Sequence, residues 1–140
     1  MNIWKFVSGM SVLAMSSLPA FAETPQQLLA GYVAEAAQAT PGFSPSAERG
    51  RQFYLQRHAV TDRQQGCFSC HTDNPLAPGQ HVTTSKSIEP LAPVAGSERF
   101  TRAAKSEKWF RRNCKEVIGR ECSAGEKADL LHFLLAEAAR

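Results

Sequence analysis

The apolar positions of this chain recur at helical spacing in four separate stretches, each flanked by residues that start or stop helices. Thr24-Pro25-Gln26-Gln27 supplies an N-cap, a proline at N1 and a glutamine at N3. Leu29, Tyr32, Val33 and Ala36 follow on one face, and Thr40-Pro41-Gly42 ends the run. Ser44-Pro45 opens a second stretch with Gly50, Phe53 and Tyr54 on one side. A third helix is predicted to begin between Thr101 and Ser106, with Trp109, Phe110, Asn113, Cys114 and Val117 as its apolar stripe and Gly119 just past its end. Ser123-Ala124-Gly125-Glu126 is a capping box for a fourth helix with the stripe Leu131, Leu134, Leu135 and Ala138. Residues 72–97 hold Pro75, Pro78, Pro90 and Pro93 without a sustained period, which predicts a long loop wrapped around something. No segment alternates strictly. The pattern predicts a single all-α domain of about four helices.

The N-terminus has a different character. Lys5 precedes a largely apolar run from Phe6 to Leu18, too short to span a bilayer comfortably. Ala20-Phe21-Ala22 then has the form of an export cleavage site. Residues 1–22 read as a secretory signal cleaved after Ala22, and residues 23–140 as the mature domain, periplasmic by this reading. All three methionines lie in the signal. The mature segment keeps four cysteines and four histidines and carries 15 Lys/Arg against 13 Asp/Glu. Its size suits one domain and not two. A mean hydropathy of −0.30 and 21% charged residues exclude a membrane bundle, and eight Phe and two Trp exclude a disordered chain.

Cys67-Phe68-Ser69-Cys70-His71 is the C-x-x-C-H pattern of covalent haem attachment. Two thiols three positions apart reach the two vinyl groups on one edge of a porphyrin. The adjacent His71 then points its imidazole at the iron as proximal ligand. The expected cofactor is one covalent haem c. A thioredoxin-like redox pair would need a βαβ context, which is absent. A zinc adaptor built on Cys67, Cys70, Cys114 and Cys122 is the reading from another class, although the second pair is widely spaced. Cys114 and Cys122 flank the turn between the last two helices, where a disulfide would pin that turn; a reactive thiol pair is the alternative. The mature segment has no methionine for the second axial position. His58, His81, His132, a lysine, Asn113 or no residue remain. Asn113 stands out because it shares the apolar stripe, where an amide must find a partner. A second histidine would make a closed electron carrier instead. No catalytic residue can be named.

These residues resemble the sphaeroides haem protein family of high-spin monohaem cytochromes c. The resemblance runs through Cys67–His71, Lys86–Pro93, Arg99-Phe100-Thr101, Lys108–Cys114, Val117–Cys122 and Glu126–Leu131. Thr84-Ser85 stands where the family pattern has a glycine before Lys86, and residues 55–66 match poorly. The resemblance implies a class I cytochrome c-like fold around one covalent haem. It implies that Asn113 is the distal ligand in the oxidised state and that Cys114 pairs with Cys122. It further implies that the asparagine leaves on reduction, so that ferrous iron binds oxygen or nitric oxide. A dihaem cytochrome c and a membrane cytochrome b are the redox partners it implies. Charge adds one observation. Residues 99–120 hold eight Lys/Arg against Glu107 and Glu116, a net +6, so the rest of the mature segment is net −4. Nucleic acid is not an expected partner of an exported chain.

Overall fold

The computed structural model describes residues 23–140 except 61, 63 and 64. The expected signal segment, 1–22, lies outside the described residues. Five helices run in chain order: α1 (Pro25–Ala39), α2 (Ala47–Leu55), α3 (Phe68–His71), α4 (Ala103–Ile118) and α5 (Ala124–Ala138). Four of them answer to the four apolar stretches. The fifth, α3, is a single turn on the C-x-x-C-H motif. A two-residue antiparallel ladder joins β1 (Gly79–Gln80) to β2 (Ser87–Ile88), pairing Gly79 with Ile88 and Gln80 with Ser87. Two residues are too few to register as alternation. The architecture is all-α and cytochrome c-like, as expected.

Local chemistry sets the helix ends. The Thr24 hydroxyl accepts from Gln27 N at 3.1 Å while the Gln27 amide oxygen accepts from Thr24 N at 2.8 Å. Ser123 and Glu126 close the same reciprocal pair at the head of α5. The second helix starts later than its Ser-Pro signal. Ser46, not Ser44, is the cap: its hydroxyl accepts from Arg49 N, and its own N–H donates to Asp129 at 2.7 Å. The head of α4 has no local cap, and the Glu23 carboxylate, 80 residues away in sequence, accepts from Ala103 N instead. Gly119 closes α4 in the left-handed region at φ 82°.

The core is α5 gripped between α1 and α2. Leu28, Tyr32 and Ala36 of α1 and Gly50 and Tyr54 of α2 are buried against it. The buried band of α5 covers Ala128 to Leu131, Phe133 and Leu134, whereas Leu135 and Ala138 are only partly buried. That band is wider than the predicted stripe, because α5 has neighbours on two sides. At the α2–α5 crossing, Asp129 accepts from Arg49 Nε at 2.7 Å and from its Nη2 at 2.8 Å. Cys114 and Cys122 are joined in a disulfide, Cα atoms 5.7 Å apart, tying the end of α4 to the segment before α5.

Candidate haem site

Helix α4 carries core and cavity residues on one side. Ser106, Phe110 and Cys114 are buried in the protein. Trp109 and Asn113 are exposed and Val117 is partly buried, and all six share one side of the helix. They line a cavity of about 820 Å³, within the roughly 300–1,000 Å³ typical of cofactor pockets. Asn113 shares this side of the helix with Trp109, Phe110, Cys114 and Val117, and its side chain is exposed at the cavity wall. Helical period alone does not separate a side chain that packs on protein from one that faces a cofactor.

The motif reaches the same cavity from α3. Cys67 is the N-cap, and its carbonyl accepts from Cys70 N and His71 N, which curls the two cysteines and the histidine into one turn. Both thiols are unpaired, and both line the cavity with His71. Burial pushes the Cys67 thiol up to about 11, so it stays protonated at neutral pH. Burial, then the charge of Arg99, lower His71 to about 4, which leaves its imidazole neutral with a free lone pair. His71 Nδ1 is buried without a hydrogen-bond partner. A neutral imidazole with a lone pair available is the form that ligates a metal.

Three residues outside the motif hold it in place, and sequence reasoning gave none of them that role. The fully buried Tyr54 hydroxyl donates to the carbonyls of Thr72, at 2.7 Å, and His71, at 3.2 Å. The chain then turns through Thr72 at φ +62°. Gly79 lets the β1 strap lie on the motif: a Cβ there would come within 2.0 Å of the Cys70 carbonyl oxygen. Arg99, half-buried, donates to the Pro90 carbonyl at 3.1 Å and the Glu89 carbonyl at 2.9 Å, which closes the loop beside His71. Only Arg99 had a signal, as part of the Arg99-Phe100-Thr101 block.

Of the remaining distal candidates, one histidine and two lysines, Lys86 and Lys105, reach the cavity. His81 lines the cavity, with Nδ1 accepting from Thr83 N and Thr84 N at 3.2 and 3.3 Å. His58 and His132 do not line it. The four-cysteine zinc site is corrected: Cys114 and Cys122 are consumed in the disulfide, and two thiols remain. Those two free thiols, the unpartnered His71 nitrogen, the cavity they share and the glycine that admits the strap together fit a haem attached at Cys67 and Cys70.

Known proteins agree with that fit. A family model described as a domain of unknown function, DUF1924, matches residues 40–134. Cytochrome c-type protein SHP of Cereibacter sphaeroides is 46% identical over 116 residues, covering 81% of this chain and 84% of that protein. Cytochrome c'' of Methylophilus methylotrophus is 32% identical over 139 residues, covering 98% and 96%. The fold is similar to that of oxidised SHP, described as an oxygen-binding cytochrome c, with a TM-score of 0.73 at 45% identity over 82% of this chain and 98% of that one. It is also similar to oxidised cytochrome c'', with a TM-score of 0.69 at 34% identity over 79% and 92%. This chain therefore belongs to the sphaeroides haem protein family of c-type cytochromes and carries one covalently bound haem c.

Proposed function

We propose that the chain is an exported cytochrome that accepts an electron and then binds oxygen or nitric oxide at its haem iron. The observation that carries this reading is that Asn113 of α4 faces the same cavity as Cys67, Cys70 and His71. When bound, haem supplies the redox centre and the position for a diatomic ligand. Cys67 and Cys70 hold it as thioethers, and His71 occupies the proximal side with its neutral imidazole. Asn113 occupies the distal side in the oxidised state. Its amide oxygen is a neutral and weak donor beside histidine or methionine. Such a donor would bind the more electrophilic ferric iron better than the ferrous one, so that reduction would free the site for a diatomic ligand. The dihaem cytochrome c and membrane cytochrome b of the family resemblance are the partners in this proposal. The apolar run and the Ala20-Phe21-Ala22 signal support export to the periplasm, where the disulfide is at home.

A second reading has its own observation. His81 also lines the cavity, so a closed His/His carrier would draw its second ligand from there. The position of His81 argues for the first reading. It lies two residues past Gly79, whose backbone packs on Cys70 and His71, so it belongs to the strap on the motif.

Asn113→Ala discriminates. It should retain covalent haem, convert the ferric spectrum to a five-coordinate or water-bound form, and speed ferric ligand binding at least about tenfold, the equivalent of 1.4 kcal/mol. An unchanged ferric spectrum with unchanged binding rates would exclude Asn113 as a ligand. Loss of the low-spin character in His81→Ala instead would select the closed carrier.

A further inference from the structure

If the chain accepts electrons, as the reading above requires, a donor must reach the haem cavity. We propose that the exposed cationic stripe of α4 is the docking face for an acidic electron-donor protein. Lys105, Lys108, Arg112 and Lys115 recur at i, i+3, i+7 and i+10, so they form one stripe, and all four are exposed. Lys105 and Arg112 also line the cavity, which places the stripe along its mouth. Trp109 lies beside them, 43% exposed, with the Arg112 guanidinium 5.7 Å from its ring centroid. Tryptophan and arginine together are the residues that dominate interface centres.

The folded chain uses only part of this charge. Several cations elsewhere meet carboxylates: Arg49 with Asp129, Arg120 with Glu126, Lys127 with Glu107, Arg140 with Glu137. On α4, Arg112 pairs with Glu116 and Lys115 with Glu121. Among the described residues, Arg102, Lys105, Lys108 and Arg111 form neither an ion pair nor a side-chain hydrogen bond. Like charges three and four residues apart repel along a helix. Arg102 and Lys105 stand at the N-terminal end of α4, where the helix dipole disfavours cations; the helix has no acid of its own in the first turn, and Glu23 is the carboxylate that meets this end. The stripe therefore works against the stability of its own helix. An acidic partner would offset both penalties and steer its own approach. In the step served, one electron leaves the donor's reduced centre and arrives at the haem, and no bond forms or breaks.

The test compares two reductants on the holoprotein. One is a reduced flavodoxin, a strongly acidic carrier, and the other is a small neutral quinol. The readout is the ratio of their second-order rates, by stopped flow. Wild type should show a flavodoxin rate that falls at least about tenfold between roughly 20 mM and 300 mM salt, with the quinol rate as reference. In Lys108→Glu/Lys115→Glu, which leaves the cavity lining untouched, the low-salt ratio should drop at least about tenfold, with the visible spectrum reporting an intact haem site. A ratio indifferent to salt and to charge reversal would overturn the proposal. So would binding to phosphatidylserine vesicles that the double variant abolishes while the ratio stays put, because the stripe would then serve a lipid surface. Failure of Asn113→Ala to alter ligand binding would strike the gas-binding reading and leave this ratio readable. The converse holds as well.

Discussion

Tyr54 has one hydroxyl hydrogen and two carbonyls to satisfy, those of His71 and Thr72. They belong to the last residue of the haem motif and the residue that turns the chain away from it. Tyr54→Phe removes that hydroxyl. The bonds are part-buried, so their loss costs about 0.5–1.5 kcal/mol, and the variant should lose stability in that range by urea titration. Because the same bonds fix the end of the α3 turn, the haem environment should shift too, read as a displaced Soret band. A stability loss with an unmoved spectrum would mean that Tyr54 supports the core and not the motif. Asn113 is the opposite case at the same scale. Its side chain faces the cavity and contributes nothing to the packed face of α4, so Asn113→Ala should leave unfolding of the protein matrix nearly unchanged while altering the iron.

At the scale of elements, two glycines in helices forecast opposite outcomes for one substitution. Gly50 sits where α2 crosses α5, and a Cβ there would meet the Asp129 carbonyl oxygen at 2.0 Å and the Phe133 Cβ at 2.8 Å. Neither atom is the loose end of a flexible side chain, so the helices must separate. Gly50→Ala should cost about 1–3 kcal/mol or more. Gly31 lies inside α1 with nothing within 4 Å, and Gly31→Ala should stabilise by about 0.5–1 kcal/mol. Thermal melts of the two variants should move in opposite directions, and a shift of the same sign would refute the crossing geometry. The disulfide belongs to this scale as well. Cys114→Ser/Cys122→Ser releases the α4–α5 turn and should cost about 2–3 kcal/mol by loop-closure entropy for so short a loop. Thiol labelling of the unfolded native chain without reductant should find no free cysteine among Cys114 and Cys122.

The same elements show what was legible in the sequence. Thr24-Gln27, Gly119 and Ser123-Glu126 act within four residues of themselves, so their helix ends could be read directly. The C-x-x-C-H motif was equally local. The Arg49–Asp129 clamp joins residues 80 apart, and Glu23 caps a helix 80 residues downstream; no local pattern carries such contacts. The stripe of α4 showed which side turns inward but not which of its residues stay exposed, because a cofactor and a protein neighbour impose the same 3.6-residue period. Gly79 carried no signal, since its role depends on a backbone that passes over it.

For the whole molecule the deciding quantity is charge, and acid exposes it. Glu126 has its carboxyl held below the ordinary value of 4.5, first by Arg120 and then by the Ser123 N–H of the capping box. Glu107 is likewise lowered: burial alone would raise it, but the Lys127 ammonium, which donates to its Oε2 at 2.7 Å, outweighs burial. Each group binds its proton more weakly folded than unfolded, so the unfolded chain takes up more protons in acid. Their contribution is fully present above the unfolded value of 4.5 and is lost as the pH falls through the lower folded values. Protonation also leaves 15 cations in residues 23–140 with fewer carboxylates to oppose them, most of all along α4. Wild type should therefore lose stability steadily below about pH 5, and added salt should restore part of it by screening. Glu126→Gln isolates one share of this. At pH 7 it should be about 1 kcal/mol less stable than wild type, the scale of a helix cap with a partly exposed ion pair. As the pH falls through its lowered folded value the wild-type carboxyl is itself protonated, and the difference should shrink toward zero. A gap of constant size from pH 7 to pH 3, measured by urea unfolding at each pH, would show that Glu126 acts through its shape and hydrogen bonds and not through its charge.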